Sequence, residues 1–168
     1  MLRASELMTR PAVTCHVDER LDGAAKKMWD HDCGALPVVD GEGKAVGMVT
    51  DRDVCMGAWT HGRPLAEIPV RNVMSKTLCA CRPNATEREI HDLMMGQRIR
   101  RIPVVDETSR PLGVVSLTDL AHVACDPRNR NSSVDRDFAA TAAAVCTPHA
   151  LRAAPTSPRT QRSAAAAT

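Results

Sequence analysis

The chain has 168 residues, and its 22 basic and 20 acidic side chains leave a formal charge of only +2. That balance excludes binding nucleic acid through bulk charge, and three aromatics (Trp29, Trp59, Phe138, with no tyrosine) exclude stacking bases on aromatic platforms. No apolar run approaches the roughly 20 residues of a membrane helix, and Met1–Glu6 lacks the apolar stretch of a secretory signal, so a cytoplasmic location without membrane contact is expected.

In chain order, Glu6–Thr9 predicts a helical turn ending at Pro11, and Ala12–Cys15 a short strand. Asp18 is positioned to cap a helix whose apolar stripe is Leu21, Ala24, Ala25 and Met28, at i, i+3, i+4 and i+7. That helix fades near Asp32-Cys33-Gly34. Leu36–Val39 and Val46–Val49 predict a hairpin around Asp40-Gly41-Glu42-Gly43. Thr50 caps the next helix, which runs through Asp53, Val54 and Met56; Trp59–Pro64 reads as loop and Leu65–Ile68 as a connecting turn.

The pattern then repeats. Gly47-Met48-Val49-Thr50-Asp51-Arg52-Asp53 returns 66 residues later as Gly113-Val114-Val115-Ser116-Leu117-Thr118-Asp119, and Pro37-Val38-Val39-Asp40 returns as Pro103-Val104-Val105-Asp106. A constant offset across half a chain is an internal repeat. In the second copy, Thr77–Ala80 is the expected first strand, Asn84 the cap, and Ile90, Leu93 and Met94 the helical stripe. Ile102–Val105 and Leu112–Val115 form its hairpin, and Ser116 caps a last helix carrying Leu117, Leu120 and Ala124. The copies divide as 5–62 and 73–125 with a linker at 63–72. Residues 126–168, rich in alanine, proline, serine and arginine, bury too little to offset ordering entropy. That tail is expected to be disordered, with a transient helix at Phe138–Val145.

The chemistry concentrates at the repeated strand-to-helix step. A helix start offers unpaired N–H groups and a partial positive end, which suits phosphate. Thr50 or Ser116 adds a hydroxyl, and Asp53 or Asp119, three residues on, can accept a ribose diol. The same pattern is also a capping box serving the helix alone. Both readings stay open from the residues.

Each strand–helix–strand–strand–helix copy, with the Val38-Val39-Asp40 and Gly47–Asp53 segments and their echoes Arg100–Asp106 and Gly113–Asp119, resembles a CBS (cystathionine β-synthase) domain. The whole resembles a tandem CBS pair, or Bateman module, of the stand-alone bacterial kind, similar to the hypoxic response type. The resemblance implies an α/β fold of two CBS domains with pseudo-two-fold symmetry and no catalytic residues. It also implies a regulatory, non-enzymatic role, binding AMP, ADP, ATP or S-adenosylmethionine between the repeats, with no tightly bound cofactor. Homodimerisation through the helices and an effector protein partner are implied too.

Carried over, Asp53 and Thr50 serve one nucleotide site, Asp119 and Ser116 the other, with Thr118 or Arg52 toward phosphate. The adenine is expected near Thr14, Leu36 and Pro37, or Ala80, Ile102 and Pro103. Arg100 and Arg101, which precede the second copy's hairpin, are phosphate candidates by charge and fork geometry; the alternative is a solvated cluster paired with Asp106 or Glu107. The first copy has Gly34 and Ala35 at those positions. One stronger site, in the second copy, and one weaker or idle site are therefore expected.

Seven cysteines (Cys15, Cys33, Cys55, Cys79, Cys81, Cys125, Cys146) read mainly as small buried hydrophobes. Two rival readings of the scaffold remain. One is a redox or metal sensor using Cys79-Ala80-Cys81 with His91, although that spacing matches no standard zinc pattern. The other is a structural dimerisation module with idle clefts.

Overall fold

The structure, a computed structural model, describes residues 2–126 and 132–146. Its elements are α1 (Ala4–Leu7), β1 (Cys15–His16), α2 (Leu21–Asp30), β2 (Ala35–Val39), β3 (Ala45–Thr50) and α3 (Asp51–His61) in the first copy. Then come α4 (Glu87–Gln97), β4 (Arg101–Val105), β5 (Pro111–Ser116), α5 (Leu117–Cys125) and α6 (Ser132–Cys146). Single 3₁₀ turns at Leu65–Glu67 and Val70–Asn72 connect the copies.

The 66-residue offset survives in the register. β2 pairs antiparallel with β3, Leu36 opposite Val49, and β4 with β5, Ile102 opposite Val115; both hairpins shift register at the same place, Val38/Val39 and Val104/Val105. Each copy has its own apolar core. Leu21, Leu36, Val38 and Val49 lie in one, Ile90, Met94, Ile102 and Leu120 in the other.

The copies exchange their lead-in segments. Ala4 N–H donates to Ala85 O at 2.8 Å, and Thr9 and Val114 exchange two backbone bonds of 3.0 Å, so the chain's start completes the second copy. Reciprocally, Val70 N–H donates to Glu19 O and Ser75 N–H to Met48 O, both at 2.8 Å, so the segment before the second copy completes the first. Two glycines permit this. A Cβ on Gly47 would lie 2.5 Å from the Ser75 carbonyl oxygen, and one on Gly113 2.7 Å from that of Thr9.

Several local expectations differ. Asp18 pairs with Arg71 instead of capping α2, whose cap is Arg20. The cap of α4 is Thr86, not Asn84, because Thr86 and Glu89 form a reciprocal capping box while the Asn84 carbonyl accepts from Arg3. The α3 helix continues to His61, where Gly62 ends it in the left-handed region. Thr77–Ala80 forms no strand, because that stretch follows Ser75 across the first copy; only Cys81 bridges, in parallel, to Val104.

The largest difference is α6. Disorder was expected beyond residue 126, yet Ser132–Cys146 is a helix seated on the second copy. Its Thr141 and Val145 are buried, and Phe138 packs on the core that contains Ile90 and Met94. Residues 127–131 and 147–168, also expected to be disordered, lie outside the described residues. Thr141 Oγ1 donates to Asp137 O and lies 2.7 Å from His91 Nδ1. That ring nitrogen must therefore donate, which leaves His91 Nε2 unprotonated, buried, and 3.8 Å from Glu87 Oε1. Burial pushes the His91 pKa down, against the upward pull of Glu87, Asp137 and Asp92; Arg88 adds to the lowering. No described helix is long and apolar enough to cross a membrane.

Candidate functional site

At the end of β3, Thr50 leaves the strand in extended conformation and caps α3. Its hydroxyl accepts from Asp53 N–H at 3.2 Å and donates to Asp53 Oδ2 at 2.7 Å; Thr50 N–H reaches the same oxygen at 2.9 Å. Ser116 and Asp119 repeat the arrangement at the start of α5, with distances of 3.3, 2.7 and 2.7 Å. The capping box therefore forms in both copies. It uses one carboxylate oxygen: among the described residues, Oδ1 of Asp53 and of Asp119 takes no hydrogen bond, and each remains available to an incoming hydroxyl. Capping and ligand binding are compatible.

The helix-start amides are less open than the sequence implies. Asp51 N–H donates to Gly34 O, Arg52 N–H to Asp51 Oδ1 and Asp53 N–H to Thr50 Oγ1, so the first turn of α3 is satisfied internally. In α5, Leu117 N–H donates to Arg100 O, while Thr118 N–H has no partner among the described residues. The expected anion site at the α3 N-terminus is thus filled by Asp51, the residue right after the cap.

Each motif opens into its own cleft, and each cleft takes its other wall from the opposite copy. The first cleft, about 260 Å³, brings Thr50, Arg52 and Asp53 together with Ser75, Thr77 and Cys79, and with Ile99, Arg100 and Arg101. The second, about 340 Å³, brings Ser116, Thr118 and Asp119 together with Thr9, Pro11 and Val13, and with Cys33, Gly34 and Ala35. His31, Asp32 and Arg101 also line the second cleft. These positions correspond at the 66-residue offset, so the two clefts are related by the internal pseudo-two-fold.

This placement revises the grouping of the arginines. The sequence assigns Arg100 and Arg101 to the second copy's motif, but Arg100 lines the first cleft, opposite Thr50 and Asp53. Arg101 borders both clefts. Neither forms an ion pair with Asp106 or Glu107; Asp106 instead accepts bonds from Thr108 and Arg110 within its turn, which hold its carboxyl below its ordinary range.

The residues expected beside the adenine do not line either cleft. Leu36 and Ile102 are fully buried in the two cores, Pro37 and Pro103 are buried beside them, and none of the four lines a cleft. Thr14 and Ala80 also lie outside both cavities, although the Thr14 carbonyl accepts from Lys27. The lead-in residues Pro11, Ala12 and Val13 line the second cleft, and Thr77 and Cys79 the first. Sequence reasoning missed them because each borders the motif of the other copy. The signal that could have found them is the glycine opening each motif, which admits a crossing backbone.

The cysteines divide three ways. Cys15 and Cys81 are buried, as expected of small hydrophobes, and burial pushes their thiols up to about 12 and about 11. Cys55, Cys125 and Cys146 are exposed, contrary to that expectation, because they fall on outward-facing or terminal helix positions. Cys33 and Cys79, half-buried, line the second and first clefts, and burial raises both thiols. Cys79, Cys81 and His91 do not converge. Among the described residues, no group of three or more His, Cys, Asp or Glu side chains is placed to hold a metal.

Two further grooves carry no part of the repeated motif's diol-accepting pair. One of about 700 Å³ runs beside α4 past Arg3, Thr86 and Glu89. The other, about 460 Å³, lies beside Trp29 and reaches Asp51 and Arg101.

Two mixed α/β repeats, swapped lead-ins and paired inter-repeat clefts define a tandem CBS-domain architecture. The CBS-domain family profile matches residues 4–57 and 70–126, and the chain belongs to that family. It is similar to the CBS domain-containing protein YhcV of Bacillus subtilis, 36% identical over 121 residues, covering 72% of this chain and 84% of the relative. Among solved structures it is similar to Hypoxic Response Protein I with two coordinated zinc ions. That match has a TM-score of 0.66 and 28% identity, covering 72% of this chain and 98% of that one. It also shares its fold with the CBS domain pair of protein MJ0100, solved with 5′-methylthioadenosine and S-adenosyl-L-methionine. There the TM-score is 0.66 and the identity 24%, covering 73% and 94% of the two chains.

Proposed function

We propose that this CBS pair is a non-enzymatic regulatory module that binds adenine nucleotides, AMP, ADP or ATP, or an adenosyl compound such as S-adenosylmethionine, in its inter-repeat clefts. The observation that carries the reading is the pair of carboxylates, Asp53 and Asp119, each locked at a helix start with one oxygen free at the mouth of a cleft. A fixed carboxylate with an open oxygen suits the vicinal hydroxyls of a ribose. Pro11 and Val13, or Thr77 and Cys79, give an apolar slot beside it for a base.

Each cleft is walled by both copies, so a ligand that fits one relative position of the copies better than another shifts that equilibrium by its differential affinity. The output passes, in the cytoplasm, to an effector protein. The rival redox reading has less support, since burial keeps the two cleft thiols protonated at neutral pH.

Assembly is proposed as a homodimer through the first copy's helices. Trp29 and Trp59, on α2 and α3, are 87% and 76% exposed, and Met56 is exposed beside them. The corresponding side of the second copy is covered by α6. Two tryptophans per chain, each able to bury about 150–250 Å², supply about half of the roughly 1,200–2,000 Å² a stable interface needs.

The test is thermal denaturation against AMP, ADP, ATP and S-adenosylmethionine, repeated on Asp53→Ala and Asp119→Ala. A ligand specific for the fold raises the midpoint by mass action. At least one adenine ligand is expected to do so, and the matching aspartate variant to remove that shift. No shift with any of them at millimolar concentration would overturn the reading.

A further inference from the structure

We infer that the two clefts take ligands of different charge: the first, at Thr50 and Asp53, a phosphorylated adenine nucleotide; the second, at Ser116 and Asp119, an adenine nucleoside or thioether carrying no phosphate. This rests on the proposed binding of adenine compounds and assigns a ligand class to each cleft.

The clefts correspond residue by residue in backbone, but not in charge. The first is lined by three guanidiniums, Arg52, Arg100 and Arg101, against two carboxylates, Asp51 and Asp53. At the corresponding positions the second has Thr118, Gly34 and Ala35; its one guanidinium is Arg101, shared with the first cleft, against Asp32 and Asp119. None of the three arginines forms an ion pair among the described residues. Their forks are unspent, and charge-assisted bonds to phosphate are the strong kind.

The amides reinforce the division of labour. The first turn of α3 is satisfied internally, so phosphate in the first cleft is held by the arginines. In the second cleft the open Thr118 N–H shares the lining with Asp119 and Asp32, whose field disfavours an anion. The difference rests on Arg52 and Arg100, since Arg101 is common to both clefts. Gly34 leaves the room its guanidinium occupies, with a Cβ there falling 2.8 Å from Arg101 Nη2 and 2.9 Å from Asp51 Oδ2. The head therefore lies between Gly34, which lines the second cleft, and Asp51, which lines the first.

Each cleft contains one cysteine, which makes the inference testable site by site. Cys79 lines the first and Cys33 the second. The full chain is titrated with ADP or with adenosine, pulsed with N-ethylmaleimide, and the two peptides are quantified by mass spectrometry. ADP is expected to protect Cys79 at a concentration at least about tenfold below that protecting Cys33, the ratio one lost charged contact produces. Adenosine is expected to protect Cys33 at lower concentration than ADP does.

In the Arg52→Ala, Arg100→Ala double variant, both positions being exposed, ADP protection of Cys79 weakens at least about tenfold while adenosine protection stays within about threefold. Asp32→Asn strengthens ADP protection of Cys33. Equal ADP protection of both cysteines, or a double variant that weakens ADP and adenosine alike, overturns the charge assignment while leaving adenine binding intact. Protection of Cys79 by ADP with none of Cys33 by adenosine overturns the second-cleft assignment. Protection of neither cysteine by either compound overturns the proposed function itself.

Discussion

Replacing Gly47 with alanine probes the exchange of lead-in segments on which both clefts depend. The added Cβ would sit 2.5 Å from the Ser75 carbonyl oxygen, 3.3 Å from Met74 Cε and 3.4 Å from Ser75 Oγ. The methionine tip can turn away, but the carbonyl belongs to Ser75, whose N–H donates to Met48 O at 2.8 Å and whose Oγ accepts from Met48 N–H at 2.9 Å. The 73–77 segment must therefore shift, and overpacking of this kind costs about 1–3 kcal/mol. At about 2–4 °C per kcal/mol for a chain of this size, the midpoint is expected to fall by about 2–12 °C. Because Ser75 and Thr77 wall the first cleft, a ligand there should also bind more weakly.

Two controls bracket the effect. Gly41→Ala, with nothing within 4 Å, should change stability by no more than about 0.5 kcal/mol. Gly96→Ala, also in open space and on α4, should stabilise by up to about 1 kcal/mol. Differential scanning calorimetry of the three variants decides the matter. A Gly47→Ala protein as stable as Gly41→Ala would refute the crossing of the lead-in over β3.

Three other outcomes follow from the same geometry. Because burial lowers the pKa of His91, the fold prefers its neutral form. Stability should then be level above the unfolded value of about 6.5 and decline as pH falls below it, and His91→Gln should flatten that decline in urea titrations at pH 5.5 and 7.5. Asp40, Glu89 and Asp106, whose pKa values are lowered by hydrogen bonds, act in the same sense, but their contribution is lost only below about pH 4.5. Thr141→Val should cost about 1–3 kcal/mol by stranding His91 Nδ1, whereas an α6 not seated on α4 would leave stability unchanged. Trp59→Arg should shift the protein from dimer to monomer in sedimentation equilibrium; a wild-type chain monomeric at 100-fold higher concentration would remove the proposed interface.

What the sequence made legible was local or periodic. Thr50 and Ser116 were readable as caps because a capping box is written in four consecutive residues, and both hairpins because each apolar pair brackets a turn. The repeat located corresponding positions, and the family resemblance indicated which of them matter. What stayed hidden was long-range. Arg100 precedes the second hairpin in the chain but faces the first motif, a crossing no window of residues encodes. Pro11 reads only as the end of a helical turn, and Cys79 as part of a strand and a rival metal or redox group, until Gly113 and Gly47 are seen to admit the chain just before them, at Thr9 and Ser75. The α6 helix looked like solvated, alanine-rich tail because the buried His91–Thr141 bond spans 50 positions. Composition alone could not register that a second surface was waiting for Phe138 and Val145.

The central claim, adenine binding at carboxylates held in inter-repeat clefts, is tested most directly by isothermal titration of the purified chain with ADP, alongside Asp53→Asn. Asparagine cannot accept the diol with a charged oxygen, yet keeps the size of the side chain and an oxygen for the cap. Saturable binding to the wild-type chain is expected, weakened at least about tenfold by the substitution, with a thermal midpoint lowered by no more than the few degrees a weakened cap costs. Binding of equal affinity in Asp53→Asn, or no heat from the wild-type chain at millimolar ADP, would contradict it.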